Sequence, residues 1–153
     1  MGKKKVLYFD YWTVGIKNFR LFDQLIKDNG YDTKLLHLNS WKGIDGPDFQ
    51  EIDGISAYDI KHYKTNLLFK VLAFEKPSVV VMLNASFITD RAIILACKKL
   101  GIKSVYFMHG DVMREEFRGK TVESVNKRIG QIQKIVKASR HLKTTVVNYL
   151  YSL

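Results

Sequence analysis

The triplet His109-Gly110-Asp111 has the clearest chemical potential in the sequence. It directly follows the hydrophobic run from Ile102 to Met108, and a polar side chain at the end of a buried strand projects over the carboxyl edge of a sheet. An imidazole there can donate to a phosphate or a sugar hydroxyl, or act as a base near neutral pH, and Gly110 permits a close backbone approach. The alternative is a plain turn, in which Asp111 has ordinary turn or capping chemistry. We predict a catalytic role for His109 and ligand contacts for Gly110 and Asp111.

A second candidate loop runs from Asp10 to Asn18, between the first predicted strand and the first predicted helix. Backbone N–H groups and a helix N-terminus at this position can hold a phosphate, so Gly15 and Lys17 are candidate ligand-binding residues. The loop has one glycine, which argues against the dinucleotide-binding fingerprint and the P-loop, because both need more glycines at fixed spacing. Tyr11 and Trp12 either stack on a sugar or base or pack in the interior.

A third loop spans Asn84 to Asp90 and also follows a predicted strand. Asn84 and Ser86 offer amide and hydroxyl groups that can hydrogen-bond a polyhydroxylated ligand. Thr89 or Asp90 can instead cap the helix that follows, which is a local role.

The sequence gives little support for metal or nucleophilic chemistry. His37, His62 and His141 have no Cys, Asp or His neighbours at ligand spacing, so no metal site and no metal cofactor are predicted. Cys97 is the single cysteine and lies among apolar residues, which predicts a buried, inert thiol in a reducing compartment.

Strands and helices that would position these loops alternate along the chain. Strands are predicted from Val6 to Phe9, within Ile55 to Tyr63, from Ser78 to Leu83, from Ile102 to Met108 and from Thr144 to Tyr151, and a loosely alternating stretch predicts one from Thr33 to Leu38. Helical spacing predicts helices from Ile16 to Ile26, from Leu67 to Phe74, from Arg91 to Leu100 and after Thr121, whereas Ser40 to Gly54 is expected to form a long loop. This alternation predicts a single α/β domain over residues 1–153, with three layers and a mostly parallel sheet flanked by helices.

The charge is unevenly distributed. The chain has 25 Lys and Arg against 15 Asp and Glu, a formal net charge of +10, and residues 112–153 alone hold nine basic and three acidic side chains. The helix predicted after Thr121 carries much of this excess off its apolar stripe. Its basic face is a solvated surface, a contact with anionic lipid head groups or, least favoured, a nucleic-acid contact. The membrane-facing candidates are Lys127, Arg128, Lys134, Lys137 and Arg140.

The N-terminus passes straight from Met-Gly-Lys-Lys-Lys into a short strand-like run, which predicts no signal peptide. No apolar stretch approaches the roughly 18 residues that a membrane-spanning helix needs. We therefore expect a cytoplasmic protein, with peripheral contact to the inner face of the membrane as an option.

Two segments carry a family likeness. The run from Pro77 to Phe87 and the run from Arg91 to Asp111, which ends in the His-Gly turn, resemble the middle of the N-terminal Rossmann-like domain of GT-B glycosyltransferases, especially family 4-like enzymes. The opening strand and loop extend the likeness. The segment from Thr145 to Ser152 looks like the strand before the crossover between the two domains.

The resemblance implies transfer of a sugar from a nucleotide-sugar donor to a glycan or lipid-linked acceptor, with no obligatory metal, as in polysaccharide biosynthesis. The N-terminal domain of such enzymes shapes the acceptor side. By position, Gly15 would lie near the donor diphosphate and His109 would face the donor sugar. Where the family often has two adjacent glycines, this chain has Val14-Gly15.

The resemblance also implies that the nucleotide-binding C-terminal domain, with its Glu-x7-Glu signature, is missing from these 153 residues. We therefore expect the chain alone to lack most donor affinity and turnover. The alternative is a non-catalytic α/β module that binds sugar or lipid or has a regulatory role.

Overall fold

The structure is a computed structural model that describes residues 4–107 and 144–153. Within those residues it contains six strands: β1 Lys4–Asp10, β2 Tyr31–His37, β3 Phe49–Ile52, β4 Ile55–Asp59, β5 Val79–Met82 and β6 Lys103–Tyr106. The helices are α1 Ile16–Asp28, α2 Leu68–Glu75 and α3 Ile88–Leu100, together with a helical segment over residues 144–152. Short 3₁₀ turns cover Thr13–Gly15, Asn39–Lys42 and Ile60–Tyr63.

The strands form one sheet in the order β3-β4-β2-β1-β5-β6. All neighbouring pairs are parallel except β3 with β4. β1 is central and buried from Val6 to Asp10, which agrees with its continuous apolar sequence. The predicted α/β class, with a mostly parallel sheet flanked by helices, is confirmed.

The two faces of the sheet hold separate apolar clusters, since successive side chains of a strand point to opposite faces. On one face α1 packs against the sheet, and Phe19 stacks on Tyr8 with the ring centroids 4.5 Å apart. On the other face α2 and α3 cover Phe9 and Met82. Cys97 of α3 lies in this second cluster, so its predicted burial is confirmed, and burial raises the pKa of its thiol to about 12.

The predicted loop from Ser40 to Gly54 is wrong in its second half, which forms an antiparallel hairpin. Ile52 pairs with Ile55 across a two-residue turn, in which Asp53 and Gly54 have φ values of 51° and 77°. Positive φ at both turn residues is the geometry that Asp-Gly favours between antiparallel strands.

The strand predicted from Thr144 to Tyr151 is also wrong, because residues 144–152 are helical. Its β-branched residues favour a strand. The buried side chain of Asn148 opposes this preference. It accepts a hydrogen bond from the first amide of α2, at Leu68, over a distance of 2.7 Å, and it donates to the carbonyls of Asn66 and Thr144.

Two further predicted elements differ in detail. β6 lies where a strand was predicted, but all four of its residues are exposed rather than buried, because it is the outermost strand of the described sheet. α3 begins three residues earlier than predicted, at Ile88. The Asp90 carboxylate accepts a hydrogen bond from the amide of Phe87 at 2.9 Å, which stabilises the first turn and confirms the capping role predicted for Asp90.

The helix predicted after Thr121 lies outside the described residues. Within the part of the chain that the structure describes, no helix combines the length and apolar character that crossing a membrane requires.

Candidate functional site

The order of the strands determines where a ligand can bind. Chain connections from β1 proceed outward to β2 and β4 on one side, and the chain then returns to β5 and β6 on the other side of β1. In sheets of this kind the loops after the two strands at the reversal separate, and they leave a crevice at the carboxyl edge. Here that crevice lies between the loop that follows β1 and the loop that follows β5.

A cleft of about 230 Å³ occupies this position. Four parts of the chain surround it: the loop after β1, the turn after β2, the start of α3 and the helical segment 144–152. The residues that line it are Tyr11, Trp12, Lys42, Phe87, Ile88, Thr89 and Thr145. We refer to it as the switch-point cleft.

Tyr11 forms the floor of the switch-point cleft and is held from several sides. Its hydroxyl donates to the Asp90 carboxylate at 2.9 Å, and its ring meets Phe87 edge-on with the centroids 5.5 Å apart. Burial, with the nearby Asp90 carboxylate, raises the pKa of Tyr11 far above its ordinary value, so the phenol stays protonated. Burial also raises the pKa of Asp90, against the opposing hydrogen bonds from the Phe87 amide and Tyr11.

The rim of the switch-point cleft is apolar and open to solvent. Trp12, Phe87 and Ile88 are 44%, 58% and 43% exposed. Exposed large apolar side chains that converge on one concave site are typical of a binding surface. Aromatic faces of this kind can pack against the C–H face of a sugar or against a base.

Lys42 supplies the positive charge of the site. Its Nζ lies 5.4 Å from the ring centroid of Tyr11 and 5.9 Å from that of Trp12, both within the range of cation–π attraction. The described lining thus combines aromatic surface, two threonine hydroxyls and one ammonium group.

The turn that carries Lys42 is fixed by a polar cluster that sequence reasoning missed. Asp59 accepts hydrogen bonds from the amide of Ser40 at 2.9 Å and from its hydroxyl, and its Oδ2 lies 3.3 Å from His37 Nδ1. Burial alone would raise the pKa of the Asp59 carboxyl, but the hydrogen bonds that it accepts outweigh burial and hold that pKa below its usual range. The parallel pairing of β2 and β4 brings His37 beside Asp59, 22 residues away in the sequence.

Gly15 is buried at the start of α1. A Cβ atom added to it would lie 1.9 Å from Oδ2 of Asp10, so the carboxylate packs directly against the glycine. The loop predicted to hold a phosphate therefore holds one of the chain's own carboxylates beside the helix N-terminus, where the helix dipole favours negative charge.

The other predicted ligand residues that the structure describes lie apart from the cleft lining. Lys17 is exposed on α1, Asn84 is half-buried and Ser86 is exposed in the loop after β5. This loop contributes Phe87 and Thr89 to the cleft instead. His109, Gly110 and Asp111 lie outside the described residues, as do the basic candidates Lys127, Arg128, Lys134, Lys137 and Arg140.

Of the residues named from sequence, Tyr11, Trp12 and Thr89 meet in the cleft. Phe87 and Ile88 lie in the predicted loop from Asn84 to Asp90 but were not named as candidates. Lys42 lies in no recognisable motif, and Thr145 was named only as the start of a segment with a family likeness, so neither was predicted to line a site. Across residues 4–107 and 144–153, no three His, Cys, Asp or Glu side chains are arranged to hold a metal ion.

Comparisons of this chain with protein-family models, with curated proteins and with solved structures find no match. The chemistry of the cleft is therefore the main guide to the function of the protein.

Proposed function

We propose that this chain is the acceptor-side domain of a GT-B-type glycosyltransferase, and that the switch-point cleft binds a sugar of the glycan or lipid-linked acceptor. The observation that carries this proposal is the exposed aromatic rim of Trp12 and Phe87 around a concave site at the carboxyl edge of the sheet. The family likeness of the sequence from Pro77 to Asp111 supplies the reaction class.

The dimensions of the cleft fit a single sugar ring. Its volume of about 230 Å³ is below the roughly 300–1,000 Å³ typical of sites for drug-sized molecules, and a complete nucleotide sugar is larger than that space. A pyranose has an apolar C–H face that suits Trp12, and the hydroxyl of Thr145 can pair with a hydroxyl of the sugar. The donor nucleotide is assigned to a second domain, as the resemblance implies.

Binding tests this function directly. Trp12→Ala or Phe87→Ala is expected to weaken the binding of short glycans by about 2- to 13-fold, since one aromatic contact contributes about 0.5–1.5 kcal/mol. Phe74→Ala is the matched control, because Phe74 is 75% exposed on α2 and does not line the cleft. Equal glycan affinity in all three variants would refute a sugar site in the cleft.

A second candidate is a non-catalytic module that binds sugar or lipid. It is favoured by the described lining, in which the titratable groups are a Tyr11 phenol with a raised pKa and the ammonium of Lys42, neither of which suits general base catalysis at pH 7. In the transferase, His109 is the proposed catalytic residue.

Sugar transfer separates the two candidates. In the protein that joins this domain to its donor-binding domain, His109→Ala should lower kcat for transfer from a nucleotide sugar while glycan binding by the cleft persists. Unchanged kcat would remove His109 from the active site, and a complete lack of transfer by that protein would favour the binding module.

The proposal includes a cytoplasmic location and contact with an anionic membrane surface. Its support is the charge of the segment 112–153 and the lipid-linked acceptors that the resemblance allows. Lys127, Arg128, Lys134, Lys137 and Arg140 are the residues assigned to that contact.

A further inference from the structure

Lys42 is one of the lysines that have no carboxylate partner among the residues that the structure describes. Lys27, Lys34 and Lys61 each lie within 2.8–3.2 Å of an Asp or Glu oxygen. Among the residues that the structure describes, none offers a carboxylate within 4.0 Å of the Lys42 ammonium. Lys42 is also the residue that carries a charge at neutral pH among the described residues that line the switch-point cleft.

The position of Lys42 is built into the fold. The 3₁₀ turn Asn39–Lys42 is attached to the sheet by Asp59, which accepts from both the amide and the hydroxyl of Ser40. The turn ends at Gly43 in the left-handed conformation, with φ 68°, so the chain leaves the cleft immediately after Lys42. Trp41 Nε1 also donates to Asn66 at 3.3 Å.

Two aromatic faces near the ammonium do not use up its hydrogen-bonding capacity. An ammonium group has three N–H donors, and a ring face satisfies none of them as fully as an oxyanion does. A ligand ring that packs on Trp12 would bring its substituents within reach of Lys42, whose Nζ lies 5.9 Å from the centroid of that ring.

We propose that the sugar bound in the switch-point cleft is anionic, with a carboxylate or phosphate group paired to Lys42 while the ring packs on Trp12. This inference rests on the proposed function and names the substrate class for it. A uronic acid residue and a phosphorylated or lipid-phosphate-linked sugar share the required chemistry: an apolar ring face beside an oxyanion.

The test compares neutral and charged sugars on the full chain. Glucose, glucuronate, glucose 6-phosphate and inorganic phosphate are titrated separately, with the backbone amide resonances of Phe87 to Thr89 as the readout. Glucuronate or glucose 6-phosphate should bind at least about 5-fold more tightly than glucose, because a charge-assisted pair adds to the ring contact. The tighter of the two identifies the anionic group.

Lys42→Gln removes the charge and retains most of the side-chain length. In this variant the preference for the anionic sugar should fall below about 2-fold, while the affinity for glucose stays within about 2-fold of wild type. Lys98→Gln is the control, since it makes the same charge change on the exposed last turn of α3 and should keep the preference.

The outcomes separate this inference from the proposed function. Equal affinity for glucose and for both anionic sugars, or a preference that survives in Lys42→Gln, overturns the inference and leaves the sugar site standing. Inorganic phosphate that binds as tightly as glucose 6-phosphate, and equally well in Trp12→Ala, also overturns it, because the ligand is then a free anion. Lack of binding by all three sugars overturns the proposed function together with the inference.

Discussion

At the scale of single residues, the contact between Asp10 and Gly15 decides how the first loop is used. The Asp10 carboxylate also accepts a hydrogen bond from the amide of Tyr11 at 2.7 Å, so it stabilises the backbone on which the cleft floor is built. A glycine is needed at the start of α1 because the carboxylate leaves no room for a side chain there.

Gly15→Ala should therefore destabilise the fold by about 1 to 3 kcal/mol, since the new methyl group overlaps the Asp10 carboxylate and forces it to shift. The free energy of unfolding in urea measures the effect. Gly46→Ala is the control, because a Cβ at Gly46 meets no atom within 4 Å and its φ is not positive. Equal stability of the two variants would contradict the packing argument.

Asp59 contributes stability that depends on pH. Because its pKa in the folded protein is below the ordinary value near 4, the contribution is fully present above that ordinary value and is lost as the pH falls toward the folded pKa. Asp59→Asn should cost about 2 to 3 kcal/mol at pH 7, as hydrogen bonds to a buried charged group are lost.

The deficit of Asp59→Asn relative to wild type should shrink as the pH falls below about 4, because the Asp59 carboxyl then takes up a proton in the unfolded wild-type chain, and this favours unfolding. Urea unfolding between pH 7 and pH 3 measures both stabilities. Asp28→Asn serves as the control, since Asp28 is exposed at the end of α1. A deficit that stays constant over the whole range would contradict a role for the charge.

At the scale of elements, the hairpin and the helical segment 144–152 show where sequence patterns are sufficient. The Asp53-Gly54 turn is a local signal that predicts a hairpin, and it was available in the sequence. Residues 144–152 lack such a signal, because their β-branched sequence favours a strand and their helical state depends on contacts with α2. Local chemistry predicts the first element, whereas only tertiary structure determines the second.

Asn148→Ala should release the helical segment 144–152 from α2. The variant loses three hydrogen bonds and leaves the amide of Leu68 without its partner, at an expected cost of about 1 to 3 kcal/mol. Faster hydrogen exchange in residues 144–153 and at Leu68 would report this release. Val147→Ala, on the exposed side of the same segment, should leave exchange at Leu68 unchanged, and similar exchange in both variants would argue against the anchor.

At the scale of the whole molecule, the sequence predicts the sheet better than the cleft. Continuous apolar runs are sufficient to identify β1 and β5, since a buried parallel strand needs such a run. Lys42 and Thr145 could not be assigned to the site, because one depends on the distant Asp59 for its position and the other on the docked helical segment 144–152. Polar residues that directly follow strands predict which edge of the sheet binds a ligand. Residues distant in the sequence determine which side chains meet at that edge.

The excess of basic side chains in residues 112–153 predicts association of the whole molecule with anionic vesicles. Binding to phosphatidylserine vesicles should weaken as salt rises, because the Debye length falls from about 10 Å at 0.1 M to about 3 Å at 1 M. Binding should be abolished by reversing the charge of the five basic candidates Lys127, Arg128, Lys134, Lys137 and Arg140. The control reverses five exposed lysines elsewhere: Lys17, Lys70, Lys98, Lys99 and Lys103.

Vesicle binding that persists after reversal of the five candidates, or that is lost equally in the control, would show that general charge and not the segment 127–140 is responsible. The reversal of five charges changes the formal net charge equally in both variants. A difference in vesicle binding between them therefore reports the position of the basic side chains.

The anchoring of Tyr11 has a consequence for the rates of binding. Its hydroxyl is already engaged by Asp90, and its ring already rests against Phe87, so we expect the floor of the cleft to keep its arrangement when a ligand binds. Association should then be a single bimolecular step without a slow conformational phase, and related sugars should differ chiefly in how quickly they dissociate. The hydrogen bond between the loop after β1 and the first turn of α3 would in this way affect how long a sugar stays bound to the protein.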